Sequence, residues 1–201
     1  MADLVLTVGV ISDTHIPDRV RAMHPGIIPI LSGAKVNLIL HAGDISSHGV
    51  LEDLARVAPV QAVRGNRDWV FLKTLPLVLN LELAGVPLAL MHGHGGMLNY
   101  LVDKFLYLRD GYDFARYQKK LVESAAQAKV IVFGHTHRPV NLNIDGKLLF
   151  NPGSASIGFE QELMPSTGLL RFFSGGEVRG EIIKLSGFRL KDGIWHRISD
   201  S

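Results

Sequence analysis

The stretch Leu4-Val5-Leu6-Thr7-Val8-Gly9-Val10-Ile11, followed at once by Ser12-Asp13-Thr14-His15, decides how this chain is read. Eight mostly branched apolar residues bounded by a polar cluster mark a buried strand whose loop carries chemistry. The pattern then recurs. Val36 to Leu40 ends in His41-Ala42-Gly43-Asp44, and Val60 to Val63 ends in Arg64-Gly65-Asn66-Arg67-Asp68. Pro87 to Met91 ends in His92-Gly93-His94, and Val130 to Phe133 ends in Gly134-His135-Thr136-His137. Five strand-like runs thus terminate in Asp, Asn or His. Ligands of open α/β sheets sit off the carboxyl ends of the strands, so these five loops are expected to converge.

Between the first strands, Val20 to Ser32 and Val50 to Ala58 are read as crossover helices, the second capped from Ser46-Ser47, giving a βαβαβ opening. From Met97 to Gln127 the apolar spacing turns helical, at Leu98, Leu101, Val102 and Phe105 and then, past Gly111, at Phe114, Tyr117, Leu121 and Ala125. This predicts a helical hairpin inserted between the fourth and fifth strands. Val140 to Ile144, the Asp145-Gly146 turn, Leu148 to Phe150, Gly168 to Phe173, Gly175-Gly176 and Val178 to Leu185 predict a mainly antiparallel last third. Residues 1–201 are expected to form a single α/β domain of two packed sheets, and the tail from Ser186 is left unassigned.

Composition bounds the chemistry. With 201 residues, 47% hydrophobic and 20% charged, the chain is long and apolar enough to bury a core. A net charge of +2 gives no strong nucleic-acid signal from bulk electrostatics. The absence of cysteine excludes disulfides, thiolate zinc, iron–sulfur clusters and a thiol nucleophile, and fits a cytoplasmic location. Neither Met1 to Leu6 nor the apolar stretch Leu75 to Met91, which holds Asn80, Glu82 and two prolines, reads as a signal peptide or membrane span. A soluble protein with no membrane partner is expected.

Side chains two apart in an extended segment leave on one side, so Asp13 with His15, and His135 with His137, could each reach one cation. Taken alone, Asp13 with His15 is better explained by a capping turn Asp and a surface histidine, and Gly43-Asp44 by a common turn. Together with Asp44, Asn66 and His92 the two pairs make two Asp, one Asn and four His at successive strand ends. Seven N/O donors are too many for one tetrahedral ion and suit two ions sharing a carboxylate. Gly43, Gly65, Gly93 and Gly134 flank these donors and are expected to let backbone pass close to the site.

Asp13-Thr14-His15, Gly43-Asp44, Gly65-Asn66-Arg67-Asp68, His92 and Gly134-His135-Thr136-His137 resemble, in order, the signature of the calcineurin-like metallophosphoesterases. Together with Asn151-Pro152-Gly153-Ser154, the spacing is most similar to the small YfcE-type phosphodiesterases, whose relatives include the retromer subunit Vps29. The resemblance implies a four-layer α/β/β/α sandwich of two mixed sheets flanked by helices. It also implies two divalent ions per chain. One would be held by Asp13, His15, Asp44 and His137, the other by Asp44, Asn66, His92 and His135, with Asp44 bridging. Manganese is favoured, and iron, zinc, nickel or cobalt would also suit the donors. The implied activity is hydrolysis of a small phosphate ester, preferably a diester, by a hydroxide shared between the metals and attacking phosphorus in line. The alternative is a non-catalytic, Vps29-like interaction scaffold.

Many relatives carry a proton-donating His after the Asn, where this chain has Arg67, a group that cannot give up its proton at neutral pH. Arg67 is expected either to clamp a phosphate oxygen or to pair with Asp68 or Asp18. Asp68 is expected to orient a neighbour, and His94 to face the phosphate or donate a proton in place of the missing His. His41 reads as a supporting buried histidine, and His24, His48 and His196 as surface residues. The predicted hairpin holds six of the 15 aromatics. It could border the cleft as a lid, with Lys104, Arg109 or Arg116 attracting anions, present a solvated amphipathic pair, or join two chains as a homodimer.

Overall fold

The computed structural model describes residues 2–69, 72–94, 111, 113–157 and 164–198. Strand β1 (Leu4–Ile11) is followed by helix α1 (Ile27–Gly33), β2 (Leu38–His41), α2 (His48–Ala55) and β3 (Val60–Ala62). Then come β4 (Val78–Leu83), β5 (Val86–Met91), α3 (Phe114–Ser124), β6 (Val130–Val132), β7 (Val140–Ile144) and β8 (Lys147–Asn151). The chain ends in β9 (Ser166–Phe173), β10 (Val178–Lys184), β11 (Phe188–Lys191) and β12 (Ile194–Arg197).

Two five-stranded sheets form, in the orders β10-β9-β1-β2-β3 and β4-β5-β6-β8-β7, and both mix parallel with antiparallel pairs. The period-2 alternation of the strands separates three apolar layers. Val8, Val10, Leu40, Leu88, Leu90, Val130, Val132, Phe150 and Leu170 meet between the sheets. Their sequence neighbours Ile11, Ile39 and Leu169 face outward against Ile27, Leu31, Val50 and Leu54 of α1 and α2. On the other sheet, Ala89, Met91, Ile131 and Leu149 face Leu121 of α3. The result is the four-layer α/β/β/α sandwich. No helix among the described residues is long and apolar enough to cross a membrane.

Several boundaries differ from the sequence reading. Helix α1 starts at Ile27 instead of Val20, because residues 21–26 dock on the C-terminal hairpin: Arg21 N–H donates to Gly193 O (2.8 Å) and the Trp195 indole to Ala22 O (3.0 Å). That docking buries His24 between Phe188 and Trp195, so it is not the expected surface residue, whereas His48 and His196 are exposed. Helix α2 is capped by Ser47, whose side chain accepts from Gly49 N–H, and it ends at Ala55, three residues early. Strand β4 escapes the sequence reading because Asn80 and Glu82 break the apolar run. They are the outward half of an alternation whose inward half, Leu79, Leu81 and Leu83, packs on the central layer. Of the predicted hairpin, the second helix forms as α3, with Asp113 as its cap. Residues 97–110, with Lys104 and Arg109, lie outside the described residues.

Candidate metal centre

The five polar loops do converge, from the two facing sheets. β1, β2 and β3 bring Asp13, His15, Asp44 and Asn66 from one side, and β5 and β6 bring His92, His135 and His137 from the other. Asp13 N–H donates to Gly43 O (3.0 Å), His15 N–H to Asp44 O (3.0 Å) and Gly134 N–H to His92 O (3.3 Å), so hydrogen bonding continues past the strand ends and couples the loops. Asp13, His15, Asp44, His135 and His137 all have left-handed backbone, with φ between 51° and 69°. This conformation is rare outside glycine and concentrates at functional sites. Here it turns the chain sharply enough for residues two apart to reach a common centre.

Asp13 Oδ1 lies 3.3 Å from His137 Nε2 and 3.8 Å from His15 Nε2, and those two nitrogens are 3.2 Å apart. His15 Nε2 is also 3.8 Å from Asp44 Oδ2. The other carboxylate oxygen of Asp44 is 3.5 Å from His92 Nε2, which is 3.1 Å from Asn66 Oδ1. Donor atoms of Asp13, His15 and His137, and likewise those of Asp13, Asp44 and His92, lie within 4.8 Å of one another. The two buried groups share Asp13, and Asp44 reaches toward both. His135 stands beside the second group, its ring 5.0 Å from that of His92.

This arrangement fits a cation. Asp13 Oδ1 is buried with no hydrogen-bond partner, which in an apolar interior is costly unless a positive group faces it. Burial works against the Asp13 charge, yet His137, His92 and His15 outweigh it and hold the carboxyl well below the usual range. Burial, the Asp13 charge and Asp68 push Asp44 up to about 6 against the pull of His92. Burial lowers His15, His41 and His135 to about 3 and His94 to about 4, leaving them neutral, the form that ligates metals. Burial would depress His137 as well, but Asp13 and the Ile157 carbonyl raise it. His92 Nδ1 bonds Ala42 O (2.7 Å) and His137 Nδ1 bonds Ile157 O (2.8 Å), so in both rings Nε2 is the nitrogen presented to the centre.

Supporting residues fix these donors. Asp68, buried, accepts Ile45 N–H (2.9 Å) and Ser46 N–H (2.8 Å) on one oxygen and Gly65 N–H (2.7 Å) on the other, tying the Asp44 loop to the Asn66 loop. His41 bonds Gly43 N–H and the Thr14 hydroxyl, the supporting role expected of it. A side chain on Gly65 would run into the Asp44 carboxylate, and one on Gly134 into Ser12 Oγ, so only glycine fits at either. Ser12, Ser154 and Ser156 join the site in roles that the sequence reading does not assign to them, although Ser12 and Ser154 lie within the motifs it quotes. Ser12 Oγ donates to Asp13 Oδ2 (2.6 Å), while Ser154 and Ser156 donate to Asp13 O at 3.1 and 2.8 Å. Asn151 donates to Gly134 O and accepts Gly153 N–H, so Asn151-Pro152-Gly153-Ser154 braces the site with side chains as well as forming a turn.

Arg67 N–H donates to Asp44 Oδ1 (2.8 Å), and its guanidinium pairs with neither Asp68 nor Asp18. His94 is 2% exposed, 5.3 Å ring to ring from His92, and its Nδ1 is buried without a partner. Helix α3 does border the site, but through Tyr117, which stacks on His135 at 6.5 Å and lies where a side chain on Gly93 would go. Arg116 is exposed.

Comparison with known proteins agrees with this geometry. Residues 6–171 match the calcineurin-like phosphoesterase superfamily domain. A probable metallophosphoesterase of Methanothermobacter thermautotrophicus is 32% identical over 179 residues, 89% of this chain and 92% of the relative. Vps29 of Cryptosporidium parvum superposes with a TM-score of 0.69 at 22% identity, covering 96% of each chain. An archaeal phosphodiesterase superposes with a TM-score of 0.59, also at 22% identity, over 89% of this chain and all of that one. With its fold, its strand-end loops and these likenesses in agreement, the chain belongs to the calcineurin-like phosphoesterase superfamily.

Proposed function

We propose that this protein is a dinuclear metal-dependent phosphodiesterase. Asp13, His15, Asp44 and His137 hold one divalent ion and Asp44, Asn66, His92 and His135 the other. The observation that carries the reading is the buried convergence of two carboxylates and three imidazoles with an unpartnered oxygen among them. When bound, the two ions supply a water activated near neutral pH and positive charge for the phosphoryl oxygens, with manganese the favoured metal. The protein's own part is positioning. Asp68 and Ser154 with Ser156 hold the loops of Asp44 and Asp13, and Arg67 offers its guanidinium to a phosphoryl oxygen beside Asp44. His94 faces the same substrate. Arg67 cannot protonate a departing oxygen, so diesters with acidic leaving alcohols are preferred to monoesters. We place the activity in a single unit spanning residues 1–201 and working in the cytoplasm.

A second reading, a non-catalytic scaffold, draws on the fold likeness to Vps29. It gives no reason for seven competent donors gathered at one point. Hydrolysis of bis(4-nitrophenyl) phosphate by chelator-stripped protein resupplied with Mn²⁺ separates the two, with bound metal counted per chain. Restored turnover, lost by about 10²-fold or more in Asp44→Asn and His92→Ala, is the expected result. Two bound ions without turnover would favour the scaffold, and no bound metal would overturn the ligand assignment.

A further inference from the structure

The hairpin β11–β12 lies beyond the matched family region, which ends at residue 171, and forms a two-stranded sheet of its own. Phe188 and Trp195 turn toward His24. The cross-strand pairs Arg189↔His196 and Lys191↔Ile194 alternate with that docked face and so point away from it, where all four residues are exposed. Arg197, paired with Phe188 and two residues from Trp195, belongs to the docked face and lies outside this set.

The ribbon is anchored close to the metal centre. Arg21 N–H bonds Gly193 O in its turn, and six residues earlier His15 O accepts Arg19 N–H (2.9 Å). Arg67, Arg19, Arg21, Arg189 and Lys191 are all exposed, and none of them forms an ion pair among the described residues. The acids nearest in sequence are Asp68, whose buried carboxylate accepts three backbone N–H groups, Asp18, which accepts the Ser46 hydroxyl, and Asp192 in the ribbon turn. In a chain of net charge +2, five unneutralised cations leading away from one site are a local excess. Beside Arg67, Trp69 is 44% exposed, with the Arg64 guanidinium over one face of its ring at 5.8 Å from the centroid.

We propose that this basic track, running from Arg67 and Arg19 over Arg21 to the outer face of the C-terminal ribbon, binds the backbone of single-stranded nucleic acid and presents its phosphodiester to the metal centre. The inference rests on the phosphodiesterase reading and supplies its substrate class. A succession of cations matches a polymer carrying one charge per linkage, whereas a small diester would need only those at the centre. The exposed indole suits an unstacked base, which a single strand offers and a duplex does not.

Fluorescence anisotropy with a labelled single-stranded 12-mer tests binding on chelator-stripped protein, where no turnover occurs. Arg189→Glu with Lys191→Glu should weaken binding at least 10-fold. The slope of log K against log salt should fall by about 1.4, because each of the two cations removed no longer neutralises a phosphate worth ~0.7 of slope. Arg189→Gln with Lys191→Gln should lie between, and both variants should keep wild-type hydrolysis of bis(4-nitrophenyl) phosphate with Mn²⁺. Unchanged affinity in the charge-reversed variant would overturn the proposal. Equally tight binding of polyglutamate would overturn it in favour of an acidic protein partner. Failure of bis(4-nitrophenyl) phosphate hydrolysis in the wild type would instead sink the phosphodiesterase reading, while the anisotropy result would still report on the track.

Discussion

Replacing Asp68 by Asn tests whether the site is held by its supporting shell. The carboxylate is 1% exposed and accepts three backbone N–H groups, at 2.9, 2.8 and 2.7 Å, from Ile45, Ser46 and Gly65. An amide of the same shape can serve at most two of them. Its NH₂ must confront either Gly65 N–H alone or the Ile45 and Ser46 pair, and the first arrangement is cheaper. One buried donor is then unsatisfied, at about 1–3 kcal/mol, and two charge-assisted bonds become neutral ones worth roughly half as much. Loss of the Asp68 charge also relieves its repulsion of Asp44, which offsets part of the cost. The net expectation is a destabilisation of about 2 kcal/mol, or a fall in Tm of roughly 4–8 °C for a chain of this size. Urea unfolding of metal-free protein measures it directly. Titration with Mn²⁺ should also show about 10–100-fold weaker binding, because Asp44 sits on the loop that Asp68 holds. A variant within about 0.5 kcal/mol of wild type, the range of an ordinary surface substitution, would refute the view that these three bonds fix the loop.

Other consequences follow from the same geometry. Gly65→Ala, whose methyl collides with the Asp44 carboxylate, should abolish metal binding while the far-ultraviolet circular dichroism spectrum stays that of a folded protein. Metal at about 100 times its Kd should stabilise the chain by about 2.7 kcal/mol for each ion bound, and chelation should reverse the matching rise in Tm. Burial holds the His24 imidazole below its ordinary pKa, so the ring is neutral in both folded and unfolded chains above about pH 6.5. Below that pH the unfolded chain takes up the proton first and stability falls toward the folded pKa. His24→Gln should therefore show a shallower loss of stability than wild type between about pH 7 and 5, measured by urea unfolding at each pH.

The candidate metal centre is legible in the sequence because the residues that gather there obey two local rules, a strand ending and a spacing of two, and because glycines mark where backbone must pass close. Asp13 gathers with His15 and His137 and again with Asp44 and His92, Asn66 Oδ1 lies 3.1 Å from His92 Nε2, and the His135 ring stands beside that of His92. What cannot be read is whatever depends on pairing across the fold. Ser154 and Ser156 meet Asp13 from 141 and 143 residues away, and no local pattern announces that their hydroxyls meet its carbonyl. The paired spacing of two serines in Gly153-Ser154-Ala155-Ser156 is the one available hint. His24 illustrates the same limit, since its burial comes from a hairpin more than 160 residues downstream. Strand β4 differs in kind, because its alternation is present in the sequence but reads as an interrupted run.

The backbone of the centre bears on the choice between enzyme and scaffold. Five of the seven donors adopt a left-handed conformation that, outside glycine, costs of order 1–3 kcal/mol at each strained residue. The fold opposes that cost with dedicated hydrogen bonds: two hydroxyls on Asp13 O, three N–H groups on Asp68, and Ile157 O on His137. A surface meant only for a protein partner gains nothing from holding buried carboxylates and neutral imidazoles face to face, since their mutual desolvation weakens the chain without improving the contact. A site that must present preformed donors to two cations and keep a phosphoryl group in line gains from each of these bonds, because positioning completed on folding is not repeated at every turnover. If the reasoning holds, Ser154→Ala with Ser156→Ala should leave the sheets intact, weaken metal binding and reduce kcat for bis(4-nitrophenyl) phosphate more than it raises KM. A loss confined to thermal stability, with metal affinity and kcat unchanged, would mean that the two hydroxyls merely pack the loop.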